Sequence, residues 1–129
     1  MELGDTYESK FFVNQDDVIK FAEVTGDNNP IHLDDEIASK SIFKKKIVHG
    51  FLAGSVFSRV FGTEWPGTGT LYLKQEMKFL APVFTDNLYI AKFKVEEIKD
   101  KNRAIISTRL EDEKSKNLVI LGEAVVIFT

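Results

Sequence analysis

The run Ile47-Val-His-Gly-Phe-Leu-Ala-Gly-Ser-Val-Phe-Ser-Arg-Val-Phe61 decides the fold. Its only charged side chain is Arg59, and apolar residues fall on every face of a helix drawn through it. A helix that is apolar all round is a buried one. This one is shorter than the ~20 residues that cross a bilayer, so protein must surround it. Gly50 and Gly54 stand about one helical turn apart, where missing side chains admit a second backbone or a ligand at close range.

The material to surround the helix lies downstream. After the Trp65-Pro66-Gly67 break, Leu71, Leu73, Met77 and Phe79 alternate with Tyr72, Lys74, Glu76 and Lys78, the period of two that marks a half-buried strand. Pro82 cannot donate to a ladder and implies an edge or bulge. Tyr89, Ala91, Phe93 and Val95 share one face of the next strand, and Lys101-Asn102 forms a hairpin tip. Ala104, Ile106, Thr108 and Leu110 mark a further strand, with a turn at Lys116-Asn117. The β-branched run from Leu118 to Phe128 is apolar on both faces, as expected for a strand covered by a helix on one side and a partner on the other. One buried helix followed by long antiparallel strands predicts an α+β fold, a twisted sheet wrapped around a central helix.

A chain of 129 residues supports one core, so residues 1–129 read as a single domain. A net charge of −3 and a pI near 5.4 give no bulk attraction to nucleic acid or to an anionic membrane. The absence of cysteine excludes disulfides, thiolate metal sites and cysteine nucleophiles. With only two histidines as well, no metal site is expected. There is no Gly-x-Ser-x-Gly elbow for a serine hydrolase. No basic leader or run of 18 apolar residues is present, which makes a cytoplasmic protein the expectation.

Upstream of the central run, Thr6 to Val13 reads as a strand and Asn14 as the N-cap of a helix from Gln15 to Thr25, stopped by Gly26. A further helix starts at Asp34 or Asp35 and runs to about Lys40. Between them, Asp27 and His32 lie five positions apart, a spacing that would splay them by ~140° on a continuous helix. Pro30 prevents that continuity and pushes Asn29 towards an extended conformation. The chain can therefore fold back and aim both side chains at one point, where an acid and an imidazole can hold and activate a water. The Lys44-Lys45-Lys46 cluster reads first as a solvated loop, with phosphate binding at the mouth of a site as the sharper alternative.

The segment Phe21 to His32, with Ala38 six residues on, resembles the Gly-Asp-x-Asn-Pro-x-His hydratase motif of the MaoC-like (R)-specific enoyl-CoA hydratases. Ile47-Val48-His49-Gly50 is similar to the segment that opens the central helix of that family, and Phe79-Leu80-Ala81-Pro82-Val83 with Asp86 resembles its sheet motif. The resemblance implies a hotdog fold and a homodimer with acyl tunnels near its interface. It further implies an acyl-CoA thioester substrate and no metal or redox cofactor. It puts the catalytic pair on Asp27 and His32 and the oxyanion donor on the backbone N–H of Gly50. Asn29, His49 and Ser58 are carried over as substrate-binding candidates. His49 reads equally well as a satisfied core histidine, and Ser58 as a small packing residue. Departures from the family stand at Lys46, where many members have proline, and at Thr85, where glycine commonly precedes the aspartate.

The implied reaction is reversible hydration of trans-2-enoyl-CoA to (R)-3-hydroxyacyl-CoA. The alternatives are another enzyme of the same fold, a 3-hydroxyacyl-acyl-carrier-protein dehydratase or an acyl-CoA thioesterase, and a non-catalytic acyl-CoA-binding subunit. A pure binder has no evident use for an Asp/His pair.

Overall fold

The computed structural model of the chain describes residues 1–129, and in it the strand periodicity and the apolar run meet as sheet and helix. In chain order the elements are β1 (Thr6–Phe11), α1 (Gln15–Thr25), α2 (Pro30–Leu33), α3 (Asp35–Ser39), α4 (Gly50–Arg59), β2 (Leu71–Phe79), β3 (Tyr89–Lys99), β4 (Arg103–Asp112) and β5 (Leu118–Ile127). The strands form one antiparallel sheet in the order β1-β3-β4-β5-β2. The alternating residues of β3 and β4 anticipated from sequence are all buried, as are Ile120, Ala124 and Val126 of β5. Together with Ala53, Val56 and Phe57 of α4 they make one core. Phe93 joins the two layers, meeting Phe57 edge-on at 5.7 Å and Phe61 at 5.3 Å. Burial of each such ring contributes roughly 1.5–3 kcal/mol.

The local signals act as read. Asn14 and Asp17 form a reciprocal capping box, Asp17 N donating to Asn14 Oδ1 at 2.9 Å and Asn14 N to Asp17 Oδ2 at 3.0 Å. Gly26 ends α1 in the left-handed region at φ 78°, where a Cβ would be strained. Lys101 and Asn102 both take positive φ, the turn chemistry of a tight hairpin.

Several expectations are corrected. β1 stops at Phe11 rather than Val13, because Phe11 pairs with Tyr89, the first residue of β3, and no ladder remains beyond it. The stretch before Asp34, expected to be a turn alone, holds the one-turn α2, which Pro30 opens, since its missing N–H has no partner to lose at the first helical position. The central helix begins at Gly50 and not at Ile47, because Val48 N donates to Val83 O at 2.8 Å and holds that stretch extended. Beyond Arg59 it continues as a π-helical turn, Val60–Glu64.

Nor is α4 buried on every face. Phe51 is 71% exposed and Ser55 and Ser58 face outward, because one sheet can cover only one side of a helix. On the covered side Gly50 and Gly54 serve close approach. A Cβ at Gly50 would lie 2.8 Å from the Phe79 ring, and one at Gly54 would lie 2.7 Å from Met77 Sδ. Met77 and Phe79 thus fill the space the two glycines leave, yet β2 is not the half-buried strand expected from its alternation: no residue of it is buried, because it lies at the edge of the sheet.

Candidate active site

Asp27 and His32 are brought together by the turn between α1 and α2. Asn29 caps α2 by accepting a hydrogen bond from Ile31 N at 3.2 Å, and the single turn that follows rotates His32 into the molecule. His32 is buried, and its Nδ1–H donates to the Ile47 carbonyl at 2.8 Å. A carbonyl can only accept, so Nδ1 carries the hydrogen and Nε2 keeps a free lone pair. Gln15 Nε2 secures the same turn by donating to His32 O at 2.9 Å. Asp27 remains exposed, and its carboxylate lies with the imidazole nitrogens of His32 and His49 in a group whose donor atoms are all within 4.8 Å of one another.

Burial is the main cause that pushes the His32 pKa below 6.5; the hydrogen bond to Ile47 opposes it, His49 lowers it further and Asp27 raises it. At pH 7 the ring is neutral and able to accept a proton. The same shift couples stability to acid. Between the depressed folded value and 6.5 the unfolded chain binds more protons than the folded one, so stability falls as pH drops through that window and is unaffected above it. His32→Gln is therefore expected to lose less Tm than the wild type between pH 7 and pH values below 6.5, measured by thermal melts across a buffer series. Equal losses would show that His32 is not the group titrating.

A cavity of about 550 Å³ opens in front of the pair. Asp27, His32 and Gly50 line it together with Phe43, Ile47, Val48, Phe51 and the Phe79–Val83 segment, so three polar positions sit in an apolar wall. Gly50 is the first residue of α4, where a backbone N–H has no intrahelical acceptor and lies at the positive end of the helix dipole. The site can thus bind a water between an acid and an imidazole and offer a backbone donor to developing negative charge.

The other candidates stand elsewhere. Asn29 is spent on the cap and Ser58 points outward; neither lines the cavity. Ser58 is eight residues past Gly50, roughly 12 Å along the axis, too far for one small side chain to return. His49 is 1% exposed and lies behind the site, its Nε2–H donating to the Asp27 carbonyl at 2.9 Å. Two imidazole nitrogens, one per ring, are thus committed to carbonyls. Sequence reasoning missed the Ile47 carbonyl that orients His32, since a backbone acceptor leaves no residue-type signal. It also gave no place in the site to Phe43, Phe51 and Phe79, the aromatic walls, and read Phe79 only as part of a strand and of the sheet motif. Of the lysine cluster, Lys46 pairs with Asp35 at 3.3 Å and Lys45 lies 4.1 Å above the Phe84 ring, while Lys44 is solvated.

A sheet curled around one helix, with an apolar cavity at that helix's N-terminus, defines the hotdog class of α+β folds. Within that class the chain belongs to the MaoC-like domain family, whose model, described as "MaoC like domain", matches residues 3–117. It is 36% identical over 127 residues to a 3-hydroxybutyryl-CoA dehydratase of Methylorubrum extorquens, covering 98% of this chain and 80% of that protein. It is 39% identical over 111 residues to an (R)-specific enoyl-CoA hydratase of Aeromonas caviae, covering 85% of this chain and 82% of that protein. The solved structure of an A. caviae (R)-hydratase involved in PHA biosynthesis superposes with a TM-score of 0.94 at 35% identity, covering 100% of this chain and 98% of that one. No helix of the chain is long and apolar enough to cross a membrane.

Proposed function

We propose that the protein is an (R)-specific enoyl-CoA hydratase acting reversibly on trans-2-enoyl-CoA. The observation that carries this reading is that Asp27, His32 and Gly50 line one apolar cavity. Hydration adds a water oxygen to C3 and a proton to C2, through an enolate-like state whose charge gathers on the thioester oxygen. In this mechanism Asp27 and His32 hold the water. The lone pair on His32 Nε2 and the Asp27 carboxylate are the two acceptors for its proton, and the pair returns a proton to C2 on the same face. We assign the roles of base and acid to the pair rather than to either residue. The Gly50 N–H is the oxyanion donor; removal of such a donor typically costs on the order of 10²–10³ in rate. The addition needs acid, base and oxyanion donor, and we assign it no metal or redox cofactor.

The test is loss of enoyl absorbance when crotonyl-CoA is added, with chiral analysis of the 3-hydroxybutyryl-CoA formed. An (S)-product would sink the stereochemical assignment. Release of free thiol from saturated acyl-CoA would instead make the protein a thioesterase. Ligand binding without turnover would make it a non-catalytic subunit, and activity only on acyl-carrier-protein thioesters would make it the corresponding dehydratase.

We further propose a cytoplasmic homodimer. β2 is an edge strand whose outer ladder is unpaired and whose Leu71, Leu73 and Phe79 are exposed. Phe51 and Leu80 line the cavity yet are 71% and 52% exposed, so a second copy laid along this edge would close the acyl end of the site. Sedimentation should return twice the 14.6 kDa chain mass. A monomer at micromolar concentration would remove the dimer from the proposal.

A further inference from the structure

His49 is the one histidine that the mechanism leaves without a role. It sits at the N-cap of α4, where its side chain makes no capping hydrogen bond. Its Nε2–H reaches the Asp27 carbonyl at 2.9 Å, while its ring stacks on His32 at 3.8 Å with 26° between planes and meets Phe21 at 4.7 Å. Asp27 makes one other hydrogen bond, from its own N to Thr25 Oγ1 two residues back. The bond from His49 is therefore the only one that ties Asp27 to another element. The turn from Gly26 to Pro30 is itself exposed.

His49 is not a core histidine with its hydrogen bonds satisfied. With the hydrogen on Nε2, Nδ1 is a bare acceptor, and it is buried without any partner. A buried unpaired acceptor costs stability. A phenylalanine or leucine would fill the same buried volume without that cost. What the imidazole adds at this position is the Nε2–H bond. Because Gly50 follows His49 directly, the bond also spans the two halves of the site, from the acid's own backbone to the helix end that carries the oxyanion donor.

We infer that His49 is a positioning residue whose Nε2–H clamps the Asp27 backbone and whose ring backs His32, setting the catalytic pair in register with the Gly50 N–H. The inference rests on the hydratase reading for its effect on rate, but not for the clamp itself. A misplacement of about 1 Å in such a site can cost on the order of 10² in rate. His49→Leu, which removes the donor, is thus expected to lower kcat for crotonyl-CoA by ~10–100-fold. KM should stay within about threefold, the pattern of a lost transition-state interaction. His49→Gln places an amide N–H close to the position of Nε2 and should recover most of that loss. His49→Asn, one bond shorter, should not.

If His49→Leu fails to fold, the Gln and Asn variants carry the comparison alone. A purely structural residue would lower Tm in all variants alike and leave kcat at the wild-type level in those that fold. That result, or a loss in Leu or Asn that Gln does not recover, overturns the inference. Long-range ¹H–¹⁵N spectra of the wild-type protein test the clamp without any assay of activity. They should show the His49 hydrogen on Nε2 with Nδ1 bare, and a hydrogen on Nδ1 overturns it. A wild-type protein that fails to hydrate crotonyl-CoA while showing this tautomer would cost the hydratase reading and spare the clamp.

Discussion

Asp27→Asn is expected to fold as the wild type does and to hydrate crotonyl-CoA at least about 10²-fold more slowly, the usual cost of losing a general acid–base group. The fold should survive because the Asp27 side chain is exposed and holds no hydrogen bond that the structure depends on. The clamp from His49 reaches the backbone carbonyl, which asparagine retains. Only the carboxylate changes: its replacement by an amide leaves His32 Nε2 as the sole proton acceptor at the water. Initial rates by enoyl absorbance, with a thermal melt to certify the fold, decide the matter. A folded variant with near wild-type turnover would take Asp27 out of the mechanism, and with it the reason for placing the water between the two side chains.

Gly122→Ala should be the most damaging small substitution in the sheet. Gly122 of β5 lies opposite Met77 of β2 on one side and Thr108 of β4 on the other. The Gln75 amide crosses above it, donating to Glu76 O at 2.8 Å and to the buried Thr108 Oγ1 at 3.0 Å. A Cβ there would lie 2.1 Å from Glu76 O and 2.8 Å from Gln75 Nε2. The first obstacle is backbone and cannot rotate aside, so β2 must move. Overpacking of this kind costs about 3 kcal/mol at the upper end of its usual range. Tm should accordingly fall by roughly 10 °C. Activity should fall too, because Met77 and Phe79 on the displaced strand pack against Gly54 and Gly50 beside the site. A melt within about 2 °C of wild type would mean that β2 shifts at little cost.

The two predictions differ in how far the sequence reaches them. Asp27 is legible because acid, proline and imidazole occur within one short turn, and the resemblance attaches a reaction to that spacing. Gly122 is not. Nothing near it in sequence signals Gln75 or Glu76, which arrive only when β2 pairs with β5 across an intervening hairpin. The same division holds within the site. The pairing of Asp27 with His32 follows from local turn chemistry, whereas the burial that lowers the His32 pKa is set by the fold as a whole, and the carbonyl that sets its tautomer comes from Ile47, fifteen residues away. Ser58 fails as a site residue for a related reason: helical periodicity says which residues share a face, and not which face the sheet will cover.

By itself the sequence determined α1, through Asn14, Asp17 and Gly26, the inward faces of β3 and β4, through strict alternation, and the turns at Lys101 and Lys116, because caps, pleat and left-handed turns are properties of a few adjacent residues. Only the tertiary structure decided where α4 begins and which of its sides meets solvent. It also decided that β5 is the strand β2 pairs with, and that His49 lies behind the acid rather than in the cavity. Each of these depends on a hydrogen bond or a packing contact between segments far apart in the chain. Residue type constrains such contacts weakly, and close packing in three dimensions specifies them.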